Sequence, residues 1–299
     1  MIAAALKRMA TELPIGWRTR FAPAPTGWLH LGHAANALCV WGVARAFGGR
    51  VVLRVEDHDR DRCRPEYERG LLEDLEWLGF APDEDVPPQR DRTAAYHDAL
   101  AKLEQAGLAY PCACSRRDVA AHVGDVFNEE SRYPGTCRTR AVNAATVPAR
   151  RVRMEPGTES FDDILLGPCT QDPDAQCGDF LIRDRRGFWT YQFAVTVDDY
   201  AQHIDVVIRG EDLLPSTGRQ LRLARLLGRE TMPRFLHHPL IRHLGGIKLS
   251  KSAGDTGIRE LRDAGRSPAE VLGAAAHAAG FIREPRPIVA ADAAALFGG

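Results

Sequence analysis

The sequence predicts an α/β fold built on a doubly wound parallel sheet, and three stretches predict it. Residues 17–23, WRTRFAP, form a short strand closed by Pro23 and Pro25. Apolar residues then recur at helical spacing from Leu31 to Phe47, through Ala34, Leu38, Val40 and Ala44, until Gly48 and Gly49 stop the helix. Arg50 to Asp57, RVVLRVED, is an apolar run bounded by glycines and charges, as a strand buried on both faces requires. Strand, loop, helix and strand make the first unit of a doubly wound sheet, and the loop after the first strand is where such sheets bind ligands.

Pro65 suits a helix start, with Leu71, Leu72, Leu75 and Leu78 along one face before Gly79. Tyr96, Leu100 and Leu103 do the same before Gly107. From Pro111 to about Val147 the periodicity fails and three cysteines gather, which marks an insertion between the halves of the sheet. ARRVRME (149–155) and DFLIRDRRGFWTYQFAVTVDD (179–199) are strand-like, with a hairpin turn at Arg186 and Gly187. IDVVIRGEDL is a strand, and STGRQLRLARLLG a helix capped by Ser216 or Thr217 and stopped by Gly228. Ser267, Pro268 and Glu270 open a last helix with a capping box. The expected divisions are 17–110 and 148–242 for the two halves of the catalytic domain, 111–147 for the insertion, and 243–299 for a lysine loop and a small C-terminal helical segment.

A net charge of -1 excludes a uniformly basic coat but leaves room for a clustered basic face. No stretch approaches ~20 uninterrupted apolar residues, and the first residues lack a signal-peptide pattern, so a cytoplasmic protein without a membrane span is expected. The odd number of cysteines, seven, favours free thiols or a metal site over a disulfide framework.

Two constellations carry chemistry. In FAPAPTGWLHLGHAAN, His30 and His33 flank Gly32 where a loop becomes a helix, so backbone N–H groups and the positive end of the helix dipole meet a glycine that admits close approach. Histidines there suit hydrogen bonds to the oxygens of an in-line displacement at phosphorus. Far downstream, Gly245 and Gly246 introduce Lys248, Leu249, Ser250, Lys251 and Ser252. Two ammonium groups on a glycine-hinged loop suit a pyrophosphate leaving group.

HLGH followed by KLSKS resembles the paired signature (HxGH and KxSKS) of class I aminoacyl-tRNA synthetases, whose catalytic fold is of the Rossmann type. RFAPAPTGWLHLGHA and LRVEDHD resemble the glutamyl subgroup, over about Arg18 to Ser252. The resemblance implies ATP with Mg²⁺, attack of a glutamate carboxylate on the α-phosphorus, and His30, His33, Lys248 and Lys251 as the catalytic set. It places ATP against Pro23, Thr26, Gly27, Gly32 and both motifs. It carries the L-glutamate contacts onto Arg20, Ala22, Ala24, Glu56, Tyr191 and Arg209. Two carboxylates and one ammonium need two cationic donors and an anion, which this set supplies. Ala24 stands where the family often has serine. The ordinary alternatives are a surface pair of Arg20 with Asp57 and a strand-end salt bridge for Glu56.

Cys112, Cys114 and Cys137 offer three thiolates for tetrahedral zinc, with Tyr133 or His122 as the fourth donor. A Cys, Cys, Tyr, Cys set resembles that of the glutamyl-queuosine tRNA(Asp) synthetases, shortened relatives of glutamyl-tRNA synthetase, and this favours Tyr133 for Zn²⁺. The expected length agrees, since little chain follows the lysine loop to hold an anticodon-binding region. That family activates glutamate without tRNA and esterifies the queuosine of tRNA(Asp). A monomer is expected. The competing expectations are a truncated glutamyl-tRNA synthetase acting on tRNA(Glu), an inactive zinc-containing RNA-binding paralogue and a small nucleotidyltransferase.

Overall fold

The computed structural model describes residues 2–123, 132–145, 149–241 and 257–298. The chain opens with α1 (Ile2–Glu12), which seats Leu6 and Met9 in the main core, and enters β1 (Arg18–Phe21). After the loop come α2 (Leu31–Ala46), β2 (Arg50–Leu53), α3 (Pro65–Leu78), β3 (Glu84–Asp85) and α4 (Thr93–Gln105). β4 (Ala109–Pro111) and α5 (Arg116–Val123) precede β5 (Arg150–Val152). The second half runs β6 (Glu159–Asp163), β7 (Gly167–Gln171), α6 (Pro173–Cys177), β8 (Leu181–Arg183), α7 (Tyr191–Ala201), β9 (Val206–Gly210), α8 (Thr217–Leu226) and β10 (Arg234–His238). α9 (Ile258–Asp263) and α10 (Pro268–Ala278) follow.

β1, β2 and β3 pair in parallel, as do β9, β10 and β6, while β7 returns antiparallel to β6. The two groups meet where β9 lies beside β1: the Asp205 N–H donates to the Arg18 carbonyl at 2.8 Å, and the Arg20 guanidinium to the Ile208 carbonyl at 3.2 Å. β1 thus has β2 on one side and β9 on the other, and the strand order reverses there. A crevice at the carboxyl ends of strands at such a point is where open α/β sheets bind ligands. A separate antiparallel sheet, β4-β5-β8, packs with α4, α7 and α8 through Tyr96, Leu103, Met154, Ile182 and Phe193.

α2 is buried almost all round, wedged between the sheet and α10. Its small residues allow this. A Cβ on Gly42 would stand 2.5 Å from the Phe297 ring.

Three expectations need correction. YQFAVTVDD is not a strand but α7, because Phe193, Ala194 and Val197 bury together at helical spacing and tertiary packing outweighs the preference of Val195, Thr196 and Val197 for extended backbone. The Arg186 and Gly187 turn does form, between β8 and a single bridge at Trp189. Leu72 is exposed, unlike Leu71, Leu75 and Leu78. The cap of α8 is Ser216 by position, but its side chain makes no capping bond.

Candidate active site

The loop after β1 is held to the next strand by its backbone: Arg54 N–H donates to the Phe21 carbonyl and Glu56 N–H to that of Pro23, at 3.0 and 3.1 Å. Ala22, Ala24, Thr26 and Gly27 are half-buried along it, and the Thr26 N–H donates to the Ala24 carbonyl at 2.8 Å. His30 is the N-cap of α2. Its Nδ1 accepts the Gly32 N–H at 3.1 Å, and His33 Nδ1 accepts the His30 N–H at 3.1 Å. The two imidazoles therefore form a capping box, with ring centroids 4.0 Å apart. Since both Nδ1 atoms accept, each neutral ring carries its proton on Nε2 and is a donor there. Lys248, Leu249, Ser250, Lys251 and Ser252 lie outside the described residues.

Beside this loop the structure brings Arg20, Glu56, Tyr191 and Arg209 together across the seam between β1 and β9. Arg20 is buried and pairs with Asp199, not with Asp57: its Nε stands 3.2 Å from Asp199 Oδ1. Asp57 instead accepts from the Arg90 N–H and guanidinium, at 2.8 and 2.7 Å. Glu56 is also paired. Arg54, with no exposed surface, donates to Glu56 through Nη2 at 2.9 Å and to Asp199 through Nη1 at 2.8 Å. Arg54 and Asp199, which sequence reasoning passed over, thus join the pocket's anion to the partner of its first cation. The only signal was an arginine inside an apolar strand and an acidic pair inside an apolar helix.

Arg209 differs from the other buried arginines. It donates to Gln220 Oε1 at 2.7 Å, to Thr217 Oγ1 at 2.8 Å and from Nε to His237 Nε2 at 3.0 Å, all neutral groups. Among the described residues it forms no ion pair with a carboxylate. Burial holds its pKa below the ordinary arginine value, a charge Tyr191 and Asp199 favour and Arg20 opposes. Burial also pushes the Tyr191 phenol up, so it stays protonated as a donor. His237 has its pKa lowered by burial despite Asp163, whose carboxylate holds Nδ1–H at 2.7 Å and leaves Nε2 to accept from Arg209. The result is a fixed cation with no carboxylate in direct contact among the described residues.

Cys112, Cys114 and Cys137 bring their sulfurs within 4.8 Å of one another. The Tyr133 phenol oxygen stands 3.5 Å from Cys112 Sγ and 3.4 Å from Cys114 Sγ, steered there by the Cys137 N–H, which donates to it at 2.9 Å. A zinc tetrahedron with ~2.3 Å bonds to sulfur has edges of about 3.8 Å, so the four donors fit that ion. Burial pushes the Cys137 thiol up, but hydrogen bonds from Tyr133 and the Ala113 N–H outweigh it and leave a pKa of about 7. The His122 side chain lies outside the described residues. A cavity of about 770 Å³ runs from Cys114 to Tyr191, with Arg116, Arg151, Arg185 and Arg219 in its walls.

The model for the catalytic domain of class I tRNA synthetases (E and Q) matches residues 17–281. The glutamyl-Q tRNA(Asp) synthetase of Nitratidesulfovibrio vulgaris is 40% identical, over 93% of this chain and 91% of that one. That of Symbiobacterium thermophilum is 40% identical, over 90% and 88%. A glutamate tRNA ligase from Elizabethkingia meningosepticum, solved with its amino acid, superposes with a TM-score of 0.74 at 29% identity, over 87% of this chain. This chain spans 60% of that enzyme's length. Among the described residues no helix is long and apolar enough to cross a membrane. The chain belongs to the class I tRNA synthetases of the glutamyl and glutaminyl type and, within them, to the glutamyl-Q tRNA(Asp) synthetases.

Proposed function

We propose that this chain uses ATP to convert glutamate to glutamyl-adenylate without tRNA and transfers the glutamyl group to the queuosine base of tRNA(Asp). One observation carries the amino-acid half of this reading: Arg209 is a buried guanidinium whose partners are all neutral, facing a pocket with a second arginine and a carboxylate. A dicarboxylic amino acid supplies the missing negative charge. Arg20 and Arg209 bind its carboxylates, Glu56 its ammonium, and Tyr191 donates from its phenol, with Ala22 and Ala24 against the chain. One carboxylate oxygen attacks the α-phosphorus, the bond to the bridging oxygen breaks, and pyrophosphate leaves with the electron pair.

The Nε2–H groups of His30 and His33 meet the phosphate oxygens as charge builds on them, and Pro23, Thr26, Gly27 and Gly32 give the nucleotide its approach. Lys248 and Lys251, with Leu249, Ser250 and Ser252, close over the triphosphate, and Mg²⁺ accompanies it. Cys112, Cys114, Tyr133 and Cys137 would hold Zn²⁺, which would tie the insertion together and supply no chemistry to the reaction. The insertion, 111–147, parts the catalytic halves 17–110 and 148–242, with the lysine loop and helical segment at 243–299. The arginine-lined cavity between insertion and pocket gives the RNA its path to the adenylate.

Glutamate-dependent exchange between ATP and pyrophosphate, run without tRNA, tests the first half; no exchange from folded protein overturns it. Transfer to tRNA(Asp) with and without queuosine, beside tRNA(Glu), tests the second. Label on tRNA(Glu) would establish the other reading, a charging enzyme, with which the likeness to a glutamate tRNA ligase is consistent.

A further inference from the structure

His58 lines the wall of the large cavity beside Tyr191, with ring centroids 6.1 Å apart, and has no part in the glutamate or ATP contacts. Its protonation pattern is set by a chain of hydrogen bonds that begins at buried Asp198. That carboxylate accepts from the Tyr96 hydroxyl at 2.7 Å, from Arg92 Nε at 3.0 Å and from Gln89 Nε2 at 3.0 Å. Burial and the adjacent Asp198 raise the Tyr96 pKa, so the phenol remains a donor. Gln89 must then turn its amide nitrogen to Asp198 and its carbonyl to His58, 2.7 Å from Nδ1. A carbonyl only accepts, so His58 Nδ1 carries a proton and, in the neutral ring, Nε2 holds the lone pair. Among the described residues Nε2 has no partner. This is the opposite tautomer to that of His30 and His33.

We infer that His58 Nε2 is the proton acceptor of the transfer step, an inference that rests on the glutamyl-transfer reading. The hydroxyl oxygen of the acceptor attacks the glutamyl carbonyl carbon and forms the ester bond. The bond from that carbon to the phosphate oxygen breaks, AMP leaves with the electron pair, and the hydroxyl proton passes to His58 before release to solvent. The position agrees with this role: His58 is two residues beyond Glu56 and lines the arginine-walled cavity proposed above as the path of the RNA. Asp59, Arg62, Asp184, Arg185, Arg186 and Tyr191 line the same cavity. Asp59 is engaged by Arg62, and Arg186 by Asp61 and Asp184, so neither carboxylate is placed as a competing base.

The test compares wild-type enzyme with His58→Ala in two reactions: glutamate-dependent exchange, and single-turnover transfer from preformed glutamyl-adenylate to queuosine-containing tRNA(Asp). Exchange should be retained, which also reports a folded site, while the transfer rate falls ~10²-fold or more. Added imidazole should restore part of it. Unchanged transfer in the variant, or an equal fall in exchange and transfer, overturns the inference. Wild-type enzyme that exchanges but does not transfer, or does not exchange at all, overturns the parent reading instead and removes the step His58 would serve.

Discussion

Replacing Arg209 with methionine separates a binding charge from a structural one. The methionine keeps the aliphatic stem's volume and removes the guanidinium, whose three observed partners are all neutral. A carboxylate ~3.5 Å from that guanidinium, at an effective permittivity of ~20, is attracted by about 5 kcal/mol. Truncating one side of such a buried pair costs about 2 to 5 kcal/mol. The dissociation constant for glutamate should rise by a factor between ~30 and ~5,000. Stability should behave differently. Three hydrogen bonds of ~1 kcal/mol each are lost, but a buried cation without an anion is also relieved, and Thr217 Oγ1 already stands 3.4 Å from His237 Nε2 to take over as its partner. The unfolding free energy should therefore change by less than about 2 kcal/mol. Calorimetric titration with glutamate and urea unfolding of both proteins measure the two quantities. Glutamate binding within about threefold of wild type would refute the reasoning, and so would a loss of more than about 5 kcal/mol of stability with affinity retained.

Asp74→Asn should change the pH dependence of stability. Among the described residues Asp74 has no hydrogen-bond partner; it is buried 4.0 Å from Arg259 Nε, and burial pushes its carboxyl up to about 6. A raised carboxyl holds its proton in the fold, so stability falls as pH rises from about 4 to about 6, by at most ~3 kcal/mol, and urea unfolding should find this fall only in the wild type. Arg54→Lys cannot reach Glu56, Asp199 and Gln202 together; it should lower stability by ~3 kcal/mol and raise the KM for glutamate in exchange, and an unchanged KM would remove Arg54 from the pocket's support. Tyr133→Phe removes the oxygen of the thiol cluster, so zinc should pass faster to a coloured chelator than from wild type, with glutamate-driven exchange retained.

The local grammar of the first half was readable in the chain. Gly48, Gly79 and Gly107 all adopt positive φ just past their helices, and Ser267 with Glu270 closes the expected capping box. What escaped is non-local. Asp199 reaches Arg20 from a position 179 residues away, and Asp163 sets the His237 tautomer from 74 away; neither spacing leaves a periodic trace. Helix α7 escaped for another reason. Its β-branched residues favour a strand, and only packing against Tyr96, Trp189 and Leu223 settles the backbone. The cysteine insertion was half legible: C-x-C and a later cysteine point to metal, but the place of the phenol depends on one backbone N–H, that of Cys137.

The imidazole capping box has a consequence for reading mutants. The spacing of three between His30 and His33 is the spacing of any N-cap and its N3 residue, so helix geometry dictates the interval. One nitrogen of each ring fixes where α2 starts, and this assignment decides which nitrogen is left to meet a ligand. An asparagine at either position keeps a cap but loses a donor at the reach of Nε2, whereas an alanine loses both at once. Alanine scanning here confounds architecture with chemistry, and only a pair of substitutions, one sparing the cap and one not, would tell them apart.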